Sequence, residues 1–437
     1  MPGTNDVTWG QESGSSATTV HINFTTDSLQ NGLTVLYHVD RSAPVVAVNV
    51  WYNVGSKHEQ PGKTGFAHLF EHMMFKGSRN VPDGAHWSML EAVGARGGAD
   101  VNGTTAHDRT NYFETVPSNH LALALWLEAE RMGTLLEALT QAKLDNQREV
   151  VKNELLQNRG PYGDWYEVML AGVFPEGHPY HHTIAGSMSD LDRATLDDVR
   201  AFFSTYYSPN NAVLVVAGDI DIARARTLVH QHFGGIARRP SPTPLPDMKL
   251  PALIGREQRV VIPDTRATTP AVYLGYRVPA ARDSGGPAAV ILAGMLGEGR
   301  SSLLHERLVR STGVATSANG FAIWLVDGAD LLVVSAEAAA GITADSLERA
   351  LVGAVTGSLA VLTQEALDRV RAGLRFGFVN GLQSMGGFGG RADRLAEGHT
   401  YFRDPNWVNT RMSRFDAVTL EDVRHLATEQ LRPLNRV

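Results

Sequence analysis

Short apolar runs alternate with amphipathic stretches along the whole chain. Residues Val45–Tyr52 read VVAVNVWY, β-branched and apolar at nearly every position, which predicts a short buried strand. A strand at 33–37 precedes it and is expected to pair with it as a hairpin across Ser42-Ala43-Pro44. Helical spacing follows at 121–132 (LALALWLEAERM) and 144–158 (LDNQREVVKNELLQN), and 214–219 (LVVAGD) reads as another buried strand. Further along, 271–278 reads as a strand, 288–296 as a helix and 330–336 as a strand. Strands neighbouring by hairpin, with helices inserted, predict an α+β fold of mainly antiparallel sheets packed with helices rather than a regular βαβ wind.

One segment breaks the pattern. Residues 238–250 (RRPSPTPLPDMKL) hold four prolines in thirteen positions and predict an extended linker. The expected organisation is a domain at 19–237, a linker at 238–253 and a second domain at 254–437. The two domains look related. Thr195-Leu196-Asp197-Asp198-Val199-Arg200 returns as Thr419-Leu420-Glu421-Asp422-Val423-Arg424, and the register holds to Val213 and Val437 at a constant offset of 224. Eight identities in those nineteen positions point to an internal duplication. The second copy reaches Val437 where the counterpart of the 214–219 strand would begin, so a short tail beyond it is expected.

Composition narrows the chemistry. Of 437 residues none is cysteine, so any metal must be held by His, Asp, Glu or backbone oxygen. A net charge of −7 argues against nucleic acid or an anionic membrane as the main partner. No apolar run approaches the roughly 18 residues of a membrane span. The stretch to residue 19 is polar and lacks the basic start and apolar core of a signal peptide; it reads as a leader left after cleavage of such a signal.

The chemistry is concentrated in TGFAHLFEHMM, residues 64–74. Thr64 is expected to cap a helix there. His68 and His72, four apart, then lie on one face one turn apart, able to hold one ion. Glu71 projects beside them, where a carboxylate can take a proton from a metal-polarised water. Two core histidines on a buried helix are the bland alternative. Phe66, Phe70, Met73 and Met74 do mark a buried helix, but burial makes unpaired imidazoles and a carboxylate costly, which favours a ligated metal. A third ligand is required, and Glu154 in VVKNE is the candidate, with Glu149, Glu128 and Glu130 as rivals. His178, His181 and His182 beside Pro179-Tyr180 read as a polar loop rather than a second metal site.

GFAHLFEHMMFKGS, then NGTTAHDRTNYFETVP, then VVKNE together resemble the pitrilysin family of zinc metallopeptidases, which includes mitochondrial processing peptidase and insulin-degrading enzyme. The resemblance spans most of the first half and implies one Zn2+ per chain, held by His68, His72 and Glu154, with Glu71 as general base. It also implies that 97–104 (GGADVNGT), including Asn102, is an exposed edge strand to which a substrate peptide adds through its backbone; a glycine-weakened edge or turn is the alternative reading. The step from His72 to Glu154 is longer than usual in the family. Gln147 stands where many members carry a supporting Glu.

The second half departs from the first. At the repeat offset from His68, Glu71 and His72 stand Leu292, Met295 and Leu296, so it carries no metal site. In the family that half often supplies an Arg and a Tyr that stabilise the oxyanion. By the match of 308–318 these positions are Val309 and Thr316, and no Tyr occurs between Tyr276 and Tyr401. Family members work as four-domain clamshells. The resemblance therefore implies the zinc-bearing subunit of a heterodimer whose related partner brings the Arg and Tyr, or alternatively a homodimer. A non-catalytic scaffold or assembly subunit, like the bc1 core subunits that keep the fold, is the competing reading. Many bacterial relatives are exported, so periplasm is expected, with cytoplasm the alternative.

Overall fold

The computed structural model describes residues 20–158 and 160–437, and the polar stretch up to residue 19 lies outside them. In chain order the first half forms β1 (Thr25–Ser28), β2 (Thr34–Val39), β3 (Val45–Tyr52), α1 (Phe66–Met73), α2 (Ala85–Glu91), β4 (Val101–Thr105), β5 (Thr110–Pro117), α3 (Leu121–Ala138), α4 (Gln141–Asn158), α5 (Trp165–Val173), α6 (Met188–Arg193), α7 (Leu196–Tyr206), β6 (Ala212–Gly218) and α8 (Ile222–Phe233). The second half forms β7 (Ala271–Val278), α9 (Gly286–Gly297), β8 (Ala315–Ala322), β9 (Asp330–Ala338), α10 (Ala344–Ser358), α11 (Gln364–Gly381), α12 (Arg391–Phe402), α13 (Trp407–Asp416) and α14 (Leu420–Gln430). The fold is α+β, as expected from the patterning.

The first sheet runs β1-β2-β6-β3-β5-β4 and the second β7-β9-β8. The expected hairpin between β2 and β3 does not form. Instead β6 lies between them, parallel to β2 and antiparallel to β3. The reason is burial: β6 (AVLVVAG) is covered on both faces for almost its whole length, and such a strand must sit inside a sheet rather than at its edge. The polar edge position goes to β4, which pairs only with β5 among the described residues.

The repeat is visible in three dimensions. Helices α7 and α14 open with the same capping box, Thr195 with Asp198 and Thr419 with Asp422. Strand β6 begins opposite β3 with Ala212 facing Tyr52; 224 positions on, Arg436 bridges Tyr276 of β7. Val437 and Gly275 then exchange two backbone hydrogen bonds, 2.9 and 3.0 Å. Between the extended stretch 257–262 and β7 runs a cavity of about 440 Å3 that also touches Val437. It lies where β6 lies in the first half.

The halves are not independent beads. Along β3, Val46, Val48, Val50 and Tyr52 face a core shared with α1, α3, α7 and α8. The alternate residues Ala47 and Trp51 face α12 of the second half. In that second layer Asp393 of α12 accepts hydrogen bonds from Trp51 Nε1 (3.0 Å), Asn111 Nδ2 (3.3 Å) and Asn49 Nδ2 (3.4 Å). Lys57, also buried, ties Asp108 (2.7 Å) to Asp327 of the second half (3.0 Å). Replacing Asp393 by Ala removes the acceptor of these side chains and of the Gly389 N–H (2.9 Å), so Asp393→Ala should lower stability by about 2–4 kcal/mol. Urea unfolding measures this, and a loss below about 0.5 kcal/mol would show that the tie is idle.

Candidate metal centre

Helix α1 is short and largely sunk in the first core: Phe66, Leu69, Phe70 and Met73 are all buried. Each contributes roughly 1.5–3 kcal/mol of apolar burial, enough to fix which face of the helix turns inward. Phe70 packs against Phe203 and Tyr207, at ring separations of 5.3 and 4.4 Å. The opposite stripe carries His68, Glu71 and His72 towards α4. Thr64 does not cap the helix as expected. The N-cap residue is Gly65 at φ +89°, with no side-chain cap, and the Thr64 hydroxyl donates to Asp190 instead (2.7 Å).

Three ligand atoms converge. His68 Nε2 and His72 Nε2 are 3.3 Å apart, and each stands 3.5 Å from Glu154 Oε2. With metal–ligand distances of about 2.0–2.1 Å, the edges of a tetrahedral site are about 3.3–3.4 Å. The triangle therefore fits a zinc-sized ion with one position left open. Burial lowers the His68 pKa to about 4, with His72 adding to the effect. Burial also lowers His72, opposed by the Glu154 carboxylate. Both rings are thus neutral near pH 7, the form that ligates a metal. Among the described residues this is the one cluster of three His, Asp or Glu side chains able to hold an ion.

The rival carboxylates are turned elsewhere. Glu128 is buried against Arg131, Glu130 accepts from Ser78 and Asn80, and Glu149 is exposed beside Lys152. The second histidine group is scattered: His178 faces the Met248 carbonyl, His181 the Phe174 carbonyl and His182 the Glu59 carboxylate. Gln147, buried on α4, lines the cavity beside His72, and its side-chain amide donates to Asn146 Oδ1 at 2.7 Å.

Glu71 is held from the edge strand. Thr105 Oγ1, at the end of β4, donates to Glu71 Oε2 at 2.6 Å. Burial raises the Glu71 carboxyl to about 7, against the lowering effects of Thr105 and Arg109. Arg109 itself is fixed by Thr104, donating to its carbonyl oxygen at 2.8 Å. Strand β4 begins at Val101, not at Gly97: Gly98 has φ +81° and 97–100 form a tight turn closed by Asp100 N to Arg96 O (2.8 Å). Gly103 is crowded: a Cβ there would lie 3.0 Å from the Tyr112 ring and 3.2 Å from Glu71 Cγ, so a larger residue would press on the Glu71 side chain. A cavity of about 220 Å3 opens beside the site, lined by Glu71, His72, stacked Phe75 and Trp87, Asn102 and Gln147. Thr105 and Arg109 went unrecognised in the sequence because a lone Thr or Arg after a glycine-containing edge has no spacing signature.

A family model described as Insulinase (Peptidase family M16) matches residues 34–162, and one described as Peptidase M16 inactive domain matches 193–374. Over 376 residues the chain is 32% identical to the zinc protease PqqE of Helicobacter pylori, covering 85% of this chain and 83% of that protein. The chain belongs to peptidase family M16. Its fold matches the crystal structure of a protease from Helicobacter pylori with a TM-score of 0.85 and 28% identity, covering 95% of this chain and 98% of that one. The M16 fold recurs in pitrilysin, at a TM-score of 0.72 and 18% identity, where this chain corresponds to 45% of the other.

The Thr105 hydroxyl favours the ionised form of Glu71. Thr105→Val should therefore raise the pKa of the Glu71 carboxyl by about 0.5–1 unit, read by NMR titration of that carboxyl. An unmoved titration would mean that the bond is not made in solution.

Proposed function

We propose that this chain is the zinc-bearing, catalytic subunit of a peptidase that acts on extended peptides. The observation that carries the reading is the ligand triangle of His68, His72 and Glu154 with a buried carboxylate, Glu71, beside it. A zinc ion held there would supply Lewis-acid polarisation of the attacking water and of the scissile carbonyl. Glu71 accepts the proton of the attacking water and returns it to the leaving amine, a task suited to a carboxyl raised towards neutrality. The free edge of β4, including Asn102, takes the peptide as an added strand. The Phe75–Trp87 wall of the adjacent cavity receives an apolar side chain next to the cut bond.

The oxyanion is left without a second-half donor pair. Val309 is half-buried in the helical segment His305–Ser311, and Thr316 is exposed on β8. Neither can replace an Arg and a Tyr. A related subunit would complete the site, in a heterodimer rather than a homodimer, and the periplasm is the proposed compartment. The scaffold reading is the competitor, and metal analysis separates them.

Two outcomes test the assignment. Glu71→Gln should keep one zinc per chain and lose at least about 10^3-fold in peptide turnover, since an amide cannot accept the proton; a variant that retains turnover would sink the role of Glu71. The purified chain should bind zinc but hydrolyse peptides barely at all until its sister subunit is added. Full turnover by the isolated chain would refute the heterodimer.

A further inference from the structure

Helix α1 carries two proposed ligands and the proposed base, yet it starts without a cap of its own. Gly65 has no side chain, and Thr64 is engaged by Asp190. Its first N–H groups are met from outside. Glu59 Oε2 accepts from Gly65 N at 2.8 Å and Oε1 from Ala67 N at 2.7 Å. The Glu59 side chain is 0% exposed, and His182 Nε2 stands 3.5 Å from it. A carboxyl group bridging two N–H groups of one helical turn is a two-point contact. It sets both the axial position and the rotation of the helix. Ala67 adjoins His68, so an error in that rotation passes directly to the imidazole.

Glu59 is itself anchored to the other side of the site. The turn before it is bonded to the β4–β5 connection, through Ser56 N to Ala106 O (3.2 Å) and Lys57 N to His107 O (3.1 Å). That hairpin also supplies Thr105, which holds Glu71. On the far side the start of the helix is closed by the 185–186 loop. A Cβ at Gly65 would lie 2.6 Å from Ala185 O, and one at Gly186 would lie 2.2 Å from Gly65 N. The helix start is therefore clasped: Asp190 holds Thr64 through its N–H and hydroxyl, and the Glu59 carboxyl holds the backbone N–H groups of Gly65 and Ala67.

We propose that Glu59 is a positioning residue of the metal centre, locking α1 to the β4–β5 hairpin so that His68 and His72 close on Glu154 while Glu71 stays on Thr105. The inference rests on the zinc-peptidase reading above. The test uses the full chain with zinc and, separately, with cobalt(II), whose visible spectrum reports ligand geometry. Glu59→Gln is near isosteric, but its amide nitrogen cannot accept an N–H. Glu59→Asp keeps the acid and falls one methylene short. Zinc affinity should fall on the order of 10- to 100-fold in Glu59→Gln. The cobalt spectrum should change, and Glu59→Asp should recover part of both. Equal affinity and an identical spectrum in wild type and Glu59→Gln overturn the proposal. So does a loss of affinity with an unchanged spectrum and a matching loss of thermal stability in the metal-free proteins, which would make Glu59 merely structural. If Glu59→Gln does not fold, Glu59→Asp carries the same comparison. A wild-type chain that takes up no zinc defeats the underlying reading as well. A wild-type chain that binds zinc but hydrolyses nothing defeats the peptidase reading while the Glu59 comparison still decides.

Discussion

The structure turns on keeping two imidazoles and a carboxylate together in a largely buried place. His68, His72 and Glu154 come from two helices, and their ligand atoms form edges of 3.3–3.5 Å. Neutral rings packed at that distance have little to hold them apart or together, so the helices must do it. The Phe66, Leu69, Phe70 and Met73 face fixes α1 in the core, and the triangle depends on how α1 lies against α4. A small rotation of either helix opens the site. This explains why polar contacts such as Thr105 on Glu71 and Glu59 on the helix start surround so few functional groups.

The second half contributes no ligand, yet the site rests on it. One face of the first sheet is closed by α12, where Asp393 takes up three donors that β3 and β5 present on that side. Without that cover, Ala47, Trp51 and their neighbours would face water, and the hairpin that supplies Thr105 would lose its backing. The duplication shows what happens to such a helix when the ligands are absent. In α9 the corresponding positions Leu292, Met295 and Leu296 are fully buried, and almost the whole helix has become core. A metal-bearing helix must keep one wet or ligated stripe; a helix without that duty sinks.

Much of this was legible beforehand. Strand β3 covers the range read from its β-branched run, and β7 does likewise, because a continuous apolar segment of that length has one comfortable environment. The pair His68 and His72 was legible because helical spacing alone puts them on one face. The position of β6 was not. Local pattern favoured a hairpin of β2 with β3, and only the need to bury both faces of β6 placed it between them. The cap at Thr64 failed for a related reason: a distant carboxylate, Asp190, competed for the hydroxyl.

The sequence by itself determined the fold class, the duplication, and the residue types able to hold a metal in a chain without cysteine. These follow from periodicity and spacing, which act within a few residues. Only the tertiary structure decided that Glu154, among four carboxylates, meets the two imidazoles. It also decided that Thr105 and Glu59 attend them. Those choices depend on how helices α1 and α4 cross and where an edge strand ends, and contacts between segments eighty residues apart are set by packing that no local pattern records.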